Sequence, residues 1–193
     1  KPCPHLVMGL ASTTRAYVWV NGKIYRCPVG SSLTWSGLEL VADLSGFPGQ
    51  QLAYYSAPGP TGGDRIAVAL GGNTDIRLVD PTAPPGSNVS IFKSGERANA
   101  IVGYGGVLVY AGARTDDRHR LYISDGTDVD GFALDSPIVR LSLHQGSVAI
   151  ATRFGLWQLD GKWIPARAPA IDPVSGEVIS PRVPAYLQGD PQP

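Results

Sequence analysis

The amino-acid sequence predicts an all-β protein, and three observations support this fold class. Glycine and proline are frequent, at 24 and 17 of the 193 residues, and they separate short apolar runs. No window shows the i, i+3, i+4 and i+7 apolar spacing of an amphipathic helix. Four strand-turn-strand segments recur along the chain at intervals of roughly 40 to 50 residues, which is the spacing of propeller blades.

The four hairpins differ in their turns. The clearest is RAYVWVNGKIYRC, where Asn21-Gly22 is the preferred pair for a type I′ turn between two strands. The second turns at Gly71-Gly72-Asn73, the third has a longer connection, and the fourth turns at Phe154-Gly155. An apolar strand precedes each hairpin, in LVMGLA, LAYYSA, NAIVGY and IVRLSL. A more polar strand follows, in LTWSGLELV, NVSIFKS, GFALD and KWIPA.

Each unit therefore contains an inner strand, two hairpin strands and an outer strand, which is the composition of a propeller blade. The sequence predicts a β-propeller of about four antiparallel four-stranded blades over residues 1–166, complete or part of a larger ring. The blades are expected at roughly residues 5–45, 51–95, 98–136 and 137–166. A β-sandwich is the alternative. Residues 167–193 hold six prolines and are predicted to form an extended arm or linker.

The charge balance and the motifs restrict the function. Sixteen basic and sixteen acidic residues cancel without a basic cluster, which argues against a nucleic-acid partner. No apolar run approaches the roughly 20 residues of a membrane span. The sequence has no G-x-S-x-G nucleophile motif, phosphate-binding loop or dinucleotide fingerprint, so we expect no catalytic residues and no cofactor. Cys3 and Cys27 are expected to be free thiols, with a disulfide as the alternative.

The acidic stretch YISDGTDVDGFALD invites a metal-binding interpretation. In an EF-type calcium loop, the first and twelfth positions would be Gly126 and Pro137, which offer no side-chain oxygen. An irregular calcium site formed by Asp125, Asp128 and Asp130 is a weaker hypothesis. The favoured interpretation is a turn between two strands, because aspartate and glycine are the residues that tight turns use.

Two further groups of residues are candidates for binding. The charged run at residues 113–120 is expected to be a solvated hairpin tip, with a binding patch as the alternative. Asp116 and Asp117 are adjacent, so in an extended chain their side chains point in opposite directions, which is poor geometry for paired acid-base catalysis. The candidates in this run are Arg114, Asp116, Asp117, Arg118 and His119. Trp35 and Trp163 are candidates for stacking on sugars, whereas Trp19 and Trp157 are expected in the core.

The third unit, GVLVYAGARTDDRHRLYISDGTDVDGF, resembles the propeller repeats of neck and tail-nozzle proteins of tailed bacteriophages. The resemblance rests on Ala111-Gly112, Tyr122, Ser124, Asp128 and Phe132, and covers about thirty residues. It implies a virion structural role, in which a rigid module contacts neighbouring protein subunits and the proline-rich arm holds one of them.

The sequence thus predicts a non-enzymatic structural or interaction module. Its expected partners are protein subunits of the same or a neighbouring assembly, and its expected location is the virion or otherwise a soluble or extracellular setting. A carbohydrate-binding propeller is the alternative, and a propeller glycosidase or lyase comes third.

Overall fold

The computed structural model describes residues 7–9, 15–28, 37–47, 51–56, 63–160, 170–171, 178–179 and 186–191. This part of the chain contains β-strands and no α-helix, which confirms the predicted all-β class. It also holds no apolar helix of bilayer-spanning length. The strands are β1 (Val7–Gly9), β2 (Arg15–Val20), β3 (Lys23–Pro28), β4 (Glu39–Asp43), β5 (Gln51–Ser56), β6 (Asp64–Ala69), β7 (Arg77–Val79), β8 (Val89–Ile91), β9 (Ala98–Tyr104), β10 (Val107–Gly112), β11 (Arg120–Ser124), β12 (Val129–Ala133), β13 (Ile138–His144), β14 (Ser147–Thr152), β15 (Gly155–Asp160), β16 (Ala170–Ile171), β17 (Val178–Ile179) and β18 (Tyr186–Pro191).

The strands form four antiparallel four-stranded sheets. Sheet 1 is β1-β2-β3-β4, sheet 2 is β5-β6-β7-β8, and sheet 3 is β12-β11-β10-β9. Sheet 4 is β13-β14-β15-β18, and β16 pairs separately with β17. The grouping of the described strands into four units of four agrees with the sequence repeat, and it differs from the two packed sheets of a β-sandwich.

The outer strand of sheet 4 differs from the sequence-based expectation. The segment KWIPA was expected there, and it lies outside the described residues. Instead β18 pairs with the whole of β15, from Gly155 opposite Pro191 to Asp160 opposite Tyr186. Residues 186–191, which fall in the segment predicted to be an extended arm or linker, thus form the outer strand of sheet 4. Pro191 occupies the end of the strand, where its missing N–H costs least.

The first hairpin has the predicted turn. Asn21 and Gly22 both have positive φ, at 50° and 79°, as a type I′ turn requires. The Gly22 carbonyl accepts a hydrogen bond from the Leu44 N–H at 2.7 Å, which joins the turn to the end of β4. A side chain at position 22 would collide with the backbone of Ser45, so both the backbone conformation and the packing favour glycine there.

Consecutive sheets pack face to face through three apolar clusters. The first cluster joins sheets 1 and 2, and it includes Trp19, Ile24 and Val68. The second joins sheets 2 and 3 through small and aromatic residues such as Ala67 and Tyr110. The third joins sheets 3 and 4, and Trp157 packs against it. Trp19 is buried and Trp157 is half-buried, which agrees with their predicted place in the core.

The inner strands of successive sheets lie side by side, with β5 next to β1, β9 next to β5, and β13 next to β9. The approach is closest at Gly103 on β9, where a side-chain Cβ would overlap the carbonyl oxygen of Tyr54 on β5. Ala53 and Ala100 are buried on the same pair of strands. Small residues on the inner strands therefore allow two backbones to pack closer than larger side chains would permit.

Substituting Gly103 by alanine tests this close approach. We expect Gly103→Ala to lower the free energy of unfolding by about 1–3 kcal/mol or more, because the Tyr54 backbone has to move. Urea denaturation gives the value. Gly46→Ala is the matched control, since a Cβ at Gly46 meets no atom within 4 Å. A surface change of that kind should stay within about 0.5 kcal/mol. Equal effects of the two substitutions would contradict the proposed packing.

Candidate functional site

A polar cleft of about 190 Å³ lies between sheets 2 and 3. One wall comes from the segment that leads into β9, and the other comes from β10, β11, the loop between them and the start of β12. The lining residues are Gly95, Glu96, Arg97, Tyr110, Arg114, Asp117, Tyr122 and Val129.

Two stacked tyrosines form the inner part of the cleft. Tyr110 is buried, and its hydroxyl donates a hydrogen bond to Glu96 Oε2 at 2.6 Å. The ring of Tyr122 lies over the ring of Tyr110, with 5.3 Å between centroids and 22° between planes. Burial, reinforced by the hydrogen bond to Glu96, raises the pKa of Tyr110. Burial, followed by the nearby Asp117 carboxylate, raises the pKa of Tyr122. Both phenols therefore stay protonated at neutral pH.

The β10–β11 loop is ordered around Asp117. The Asp117 carboxylate accepts a hydrogen bond from the Arg114 N–H at 2.7 Å, and the Asp117 carbonyl accepts one from the Arg120 N–H at 2.8 Å. Gly112 lies directly beneath Asp117, and a Cβ at Gly112 would collide with it. The backbone hydrogen bonds hold Asp117 against the cleft, while Arg114 is exposed beside it.

Glu96 and Arg97 differ in how far their polar groups are satisfied. The Arg97 guanidinium contacts Asp75 Oδ1 at 3.3 Å and Asn73 Oδ1 at 3.2 Å. The Glu96 side chain is only 10% exposed. Its Oε1 lies 3.4 Å from Lys93 Nζ but has no hydrogen-bond partner. Glu96 therefore uses one oxygen in a hydrogen bond to Tyr110 and the other, which is buried, in an ion pair with Lys93.

The structure brings together two of the residues that the sequence suggested for binding, since Arg114 and Asp117 both line the cleft. Asp116 and Arg118 are exposed, His119 is half-buried, and none of the three belongs to the lining. Trp35 and Trp163 lie outside the described residues.

Sequence reasoning missed the other six lining residues, of which Glu96, Arg97, Tyr110 and Tyr122 carry polar or charged groups. Tyr110 and Tyr122 are direct cross-strand neighbours. Counting outward from the β10–β11 hairpin could have paired them. Glu96 and Arg97 belong to a connection between sheets, and no local pattern indicates that it lies beside β10.

Of the three aspartates proposed for an irregular calcium site, Asp125 and Asp128 lie in the turn between β11 and β12, and Asp130 lies in β12. Asp125 Oδ1 accepts hydrogen bonds from the N–H groups of Thr127 and Asp128, both at 2.8 Å, in the manner of an Asx turn. Among the described residues, no group of three His, Cys, Asp or Glu side chains is placed to hold a metal ion. The Asp125 carboxylate thus orders the turn, which is the role that the sequence favoured for this stretch.

The same turn attaches sheet 3 to sheet 2. Lys93 Nζ donates a hydrogen bond to the Thr127 carbonyl at 2.7 Å, and the Tyr55 hydroxyl donates one to the Asp125 carbonyl at 3.2 Å. Gly126 has a φ of 92° and packs against the ring of Phe92, which forms an edge-to-face pair with Tyr55. The acidic stretch thus contributes to packing between the sheets.

A second cleft, of about 270 Å³, lies between sheets 1 and 2. Its lining residues are Arg15, Tyr17, Arg26, Tyr54, Asp64, Arg65, Ile66, Pro81 and Thr82. Arg26 donates to both carboxylate oxygens of Glu39, at 2.8 and 2.6 Å, and Arg65 pairs with Asp80 at 3.2 Å. A hydrogen bond to Asp64, followed by burial, raises the pKa of Tyr54 to about 12. These pairs lie within sheet 1 or within sheet 2. The Arg26 guanidinium also donates to the Pro81 carbonyl at 2.7 Å, and this hydrogen bond joins the two sheets.

The sequence matches no protein-family model and no curated protein. Among solved structures, the fold is similar to part of PorZ from Porphyromonas gingivalis, an essential bacterial surface component of the type-IX secretion system. The TM-score is 0.54 at 11% identity, and the match covers 81% of this chain but 20% of PorZ. A protein of unknown function from Bacteroides caccae matches at a TM-score of 0.49 and 12% identity, over 93% of this chain and 61% of that one. The chain thus spans about a fifth of the length of PorZ, and the likeness to PorZ concerns the fold alone.

Removing the Tyr110–Glu96 hydrogen bond should lower the stability of the fold. We expect Tyr110→Phe to lower the free energy of unfolding by about 1–3 kcal/mol, because it leaves a second oxygen of the buried Glu96 carboxylate without a donor. Tyr104→Phe is the control, since Tyr104 is half-buried beside the cluster of sheets 3 and 4.

The Tyr110–Glu96 hydrogen bond also makes the free energy of unfolding depend on pH in the alkaline range. An unfolded tyrosine ionises near pH 10, whereas folded Tyr110 holds its proton to higher pH. The contribution of Tyr110 to the free energy of unfolding is therefore complete below about pH 10, and it decreases as the pH rises above that value. Denaturation between pH 8 and pH 11 should show this decrease in the wild type and a weaker one in Tyr110→Phe. Identical pH profiles would contradict the assignment.

Proposed function

We propose that the four sheets are the blades of a closed four-bladed β-propeller. The side chain of Gln51, on the inner strand of sheet 2, supports this proposal. Its Oε1 accepts a hydrogen bond from the Ile101 N–H of sheet 3 at 3.2 Å. Its Nε2 donates to the Leu141 carbonyl of sheet 4 at 3.1 Å. One side chain thus contacts the inner strands of the next two sheets.

The geometry of a ring relates the distance that Gln51 spans, from β5 to β13, to the number of blades. Inner strands two places apart lie about 1.4 neighbour spacings apart in a regular ring of four, and about 1.8 in a ring of seven. A glutamine side chain that starts on β5 and reaches β13 requires a narrow channel, so it favours the smallest of the usual rings.

We propose that this propeller is a non-enzymatic assembly module. The observation that carries the proposal is an exposed apolar patch at one end of sheet 4, formed by Val139, Phe154 and Leu156. These side chains are 67%, 58% and 67% exposed. They lie near the end of the sheet where Ile138 pairs with Thr152. Exposed apolar residues that cluster in this way are typical of protein-protein contact surfaces.

A second copy of this chain fits the sheet 4 patch. The patch has charges of both signs around it, because Arg140 and Arg153 are exposed and Asp135 is exposed just before β13. A twofold interface places the same surface against itself, so it needs both signs at its rim. The chain has a formal net charge of zero, so long-range repulsion does not oppose association of two copies.

Internal hydrogen bonds support the non-enzymatic part of the proposal. Asp117 and Asp125 accept backbone N–H groups, and Asp80 accepts from the N–H and hydroxyl of Thr82 at 2.9 and 2.6 Å. These carboxylates stabilise loops. The resemblance to tail and neck repeats extends the proposal to a virion subunit whose copies, or neighbouring subunits, pack against sheet 4.

Removing one apolar side chain from the patch tests the assembly proposal. We expect Leu156→Ser to weaken self-association at least tenfold in sedimentation velocity, because burying a leucine contributes about 1.5–3 kcal/mol. Leu143→Ser is the matched control. Leu143 is 49% exposed on the same sheet, but at the opposite end, where it pairs with Val148.

The control should associate like the wild type. A wild type that stays monomeric at every concentration would overturn the proposed self-assembly. Equal weakening by Leu156→Ser and Leu143→Ser would show that the sheet 4 patch is not the interface.

A further inference from the structure

The cleft between sheets 2 and 3 has the composition of a ligand site. Its polar groups are both donors and acceptors, and they surround an aromatic surface. The guanidinium groups of Arg97 and Arg114 donate, while the carboxylates of Glu96 and Asp117 accept. The Tyr122 ring is half-buried and lines the same cleft. An apolar surface with a few convergent polar groups is what small-molecule sites share.

The carboxylate of Glu96 belongs to the closed inner end of the cleft. Its Oε2 accepts a hydrogen bond from the Tyr110 hydroxyl, and its Oε1 is buried 3.4 Å from Lys93 Nζ. The acceptor nearer the opening is the half-buried Asp117 carboxylate, which lines the cleft together with the exposed Arg114. A ligand hydroxyl in the cleft can donate to Asp117, since a carboxylate accepts several hydrogen bonds.

The charges of the cleft select a neutral ligand. Two carboxylates, Glu96 and Asp117, are matched by two guanidinium groups, Arg97 and Arg114, so the lining has a formal charge of zero. An anionic ligand would meet Glu96 and Asp117, and a cationic one would meet Arg97 and Arg114. A neutral molecule with several hydroxyl groups can bond at once to Asp117, an acceptor, and to Arg114, a donor.

We propose that this cleft binds a single neutral sugar ring. One face of the ring would lie against Tyr122, because the C–H face of a sugar is apolar and the tyrosine ring offers an apolar surface with a defined orientation. One hydroxyl would donate to the half-buried Asp117 carboxylate, and others would accept from the exposed Arg114. The volume of about 190 Å³ is below the range of sites for drug-sized ligands, which are about 300–1,000 Å³. It suits one ring better than an extended chain. This binding site is independent of the proposed assembly through sheet 4.

Saturation-transfer NMR on the full chain tests the proposal. The probes are the methyl glycosides of glucose, galactose and mannose, with methyl glucuronide as an anionic comparison, all at millimolar concentration. We expect saturation transfer to at least one neutral glycoside. Arg114→Ala should weaken its binding at least tenfold, since a hydrogen bond from a charged group to the ligand is lost. Arg114 is exposed, so we expect this variant to unfold at the same temperature as the wild type.

Arg118→Ala is the matched control, because Arg118 is an exposed arginine of the same loop that does not line the cleft. It should bind like the wild type. The proposal is overturned if no neutral glycoside receives saturation, if only the glucuronide does, or if Arg114→Ala and Arg118→Ala bind equally well. Self-association in sedimentation is measured separately, so failure of this site would leave the assembly proposal intact.

Discussion

The amide of Gln51 is the interaction on which the arrangement of the sheets depends. The inner strand of a blade has one edge that no further strand of its own sheet can pair, so its N–H and C=O groups need other partners. Gln51 supplies one donor and one acceptor to such edges, the carbonyl of Leu141 and the N–H of Ile101. Three sheets are joined by one side chain, and in the proposed ring the distance it spans limits the width of the central channel.

The Gln51 side chain can contact both Ile101 and Leu141 because the sheets pack closely. Gly103 allows β9 to approach the backbone of β5, and the apolar clusters between successive sheets exclude water from each contact. Hydrogen bonds away from the inner strands also fix how sheet 2 is oriented against its neighbours. Lys93 donates to the Thr127 carbonyl, and Asn88 donates to the Val41 carbonyl at 2.7 Å. The polar cleft of sheets 2 and 3 therefore lies between two bodies whose relative position is already set.

The sequence predicted the parts of the fold that local chemistry determines. Asn21-Gly22 dictates its turn, and the four-strand repeat corresponds to four described sheets. The last outer strand was assigned to the nearest suitable segment, whereas β18 comes from farther along the chain, where prolines argued against a strand. In the cleft, Arg114 and Asp117 were noticed because they are adjacent in a charged loop. Glu96 was not, because its partner Tyr110 reaches it only after two sheets have packed together.

The most direct test of the central claim is a proton NOE measurement on the Gln51 side-chain amide in uniformly labelled protein. If the inner strands form a narrow ring, the Gln51 Hε protons should show NOEs to protons of both Ile101 and Leu141, since both contacts are about 3 Å between heavy atoms. NOEs to Ile101 without any to Leu141 would show that sheet 4 lies too far from sheet 2 for a four-bladed ring, and would contradict the account.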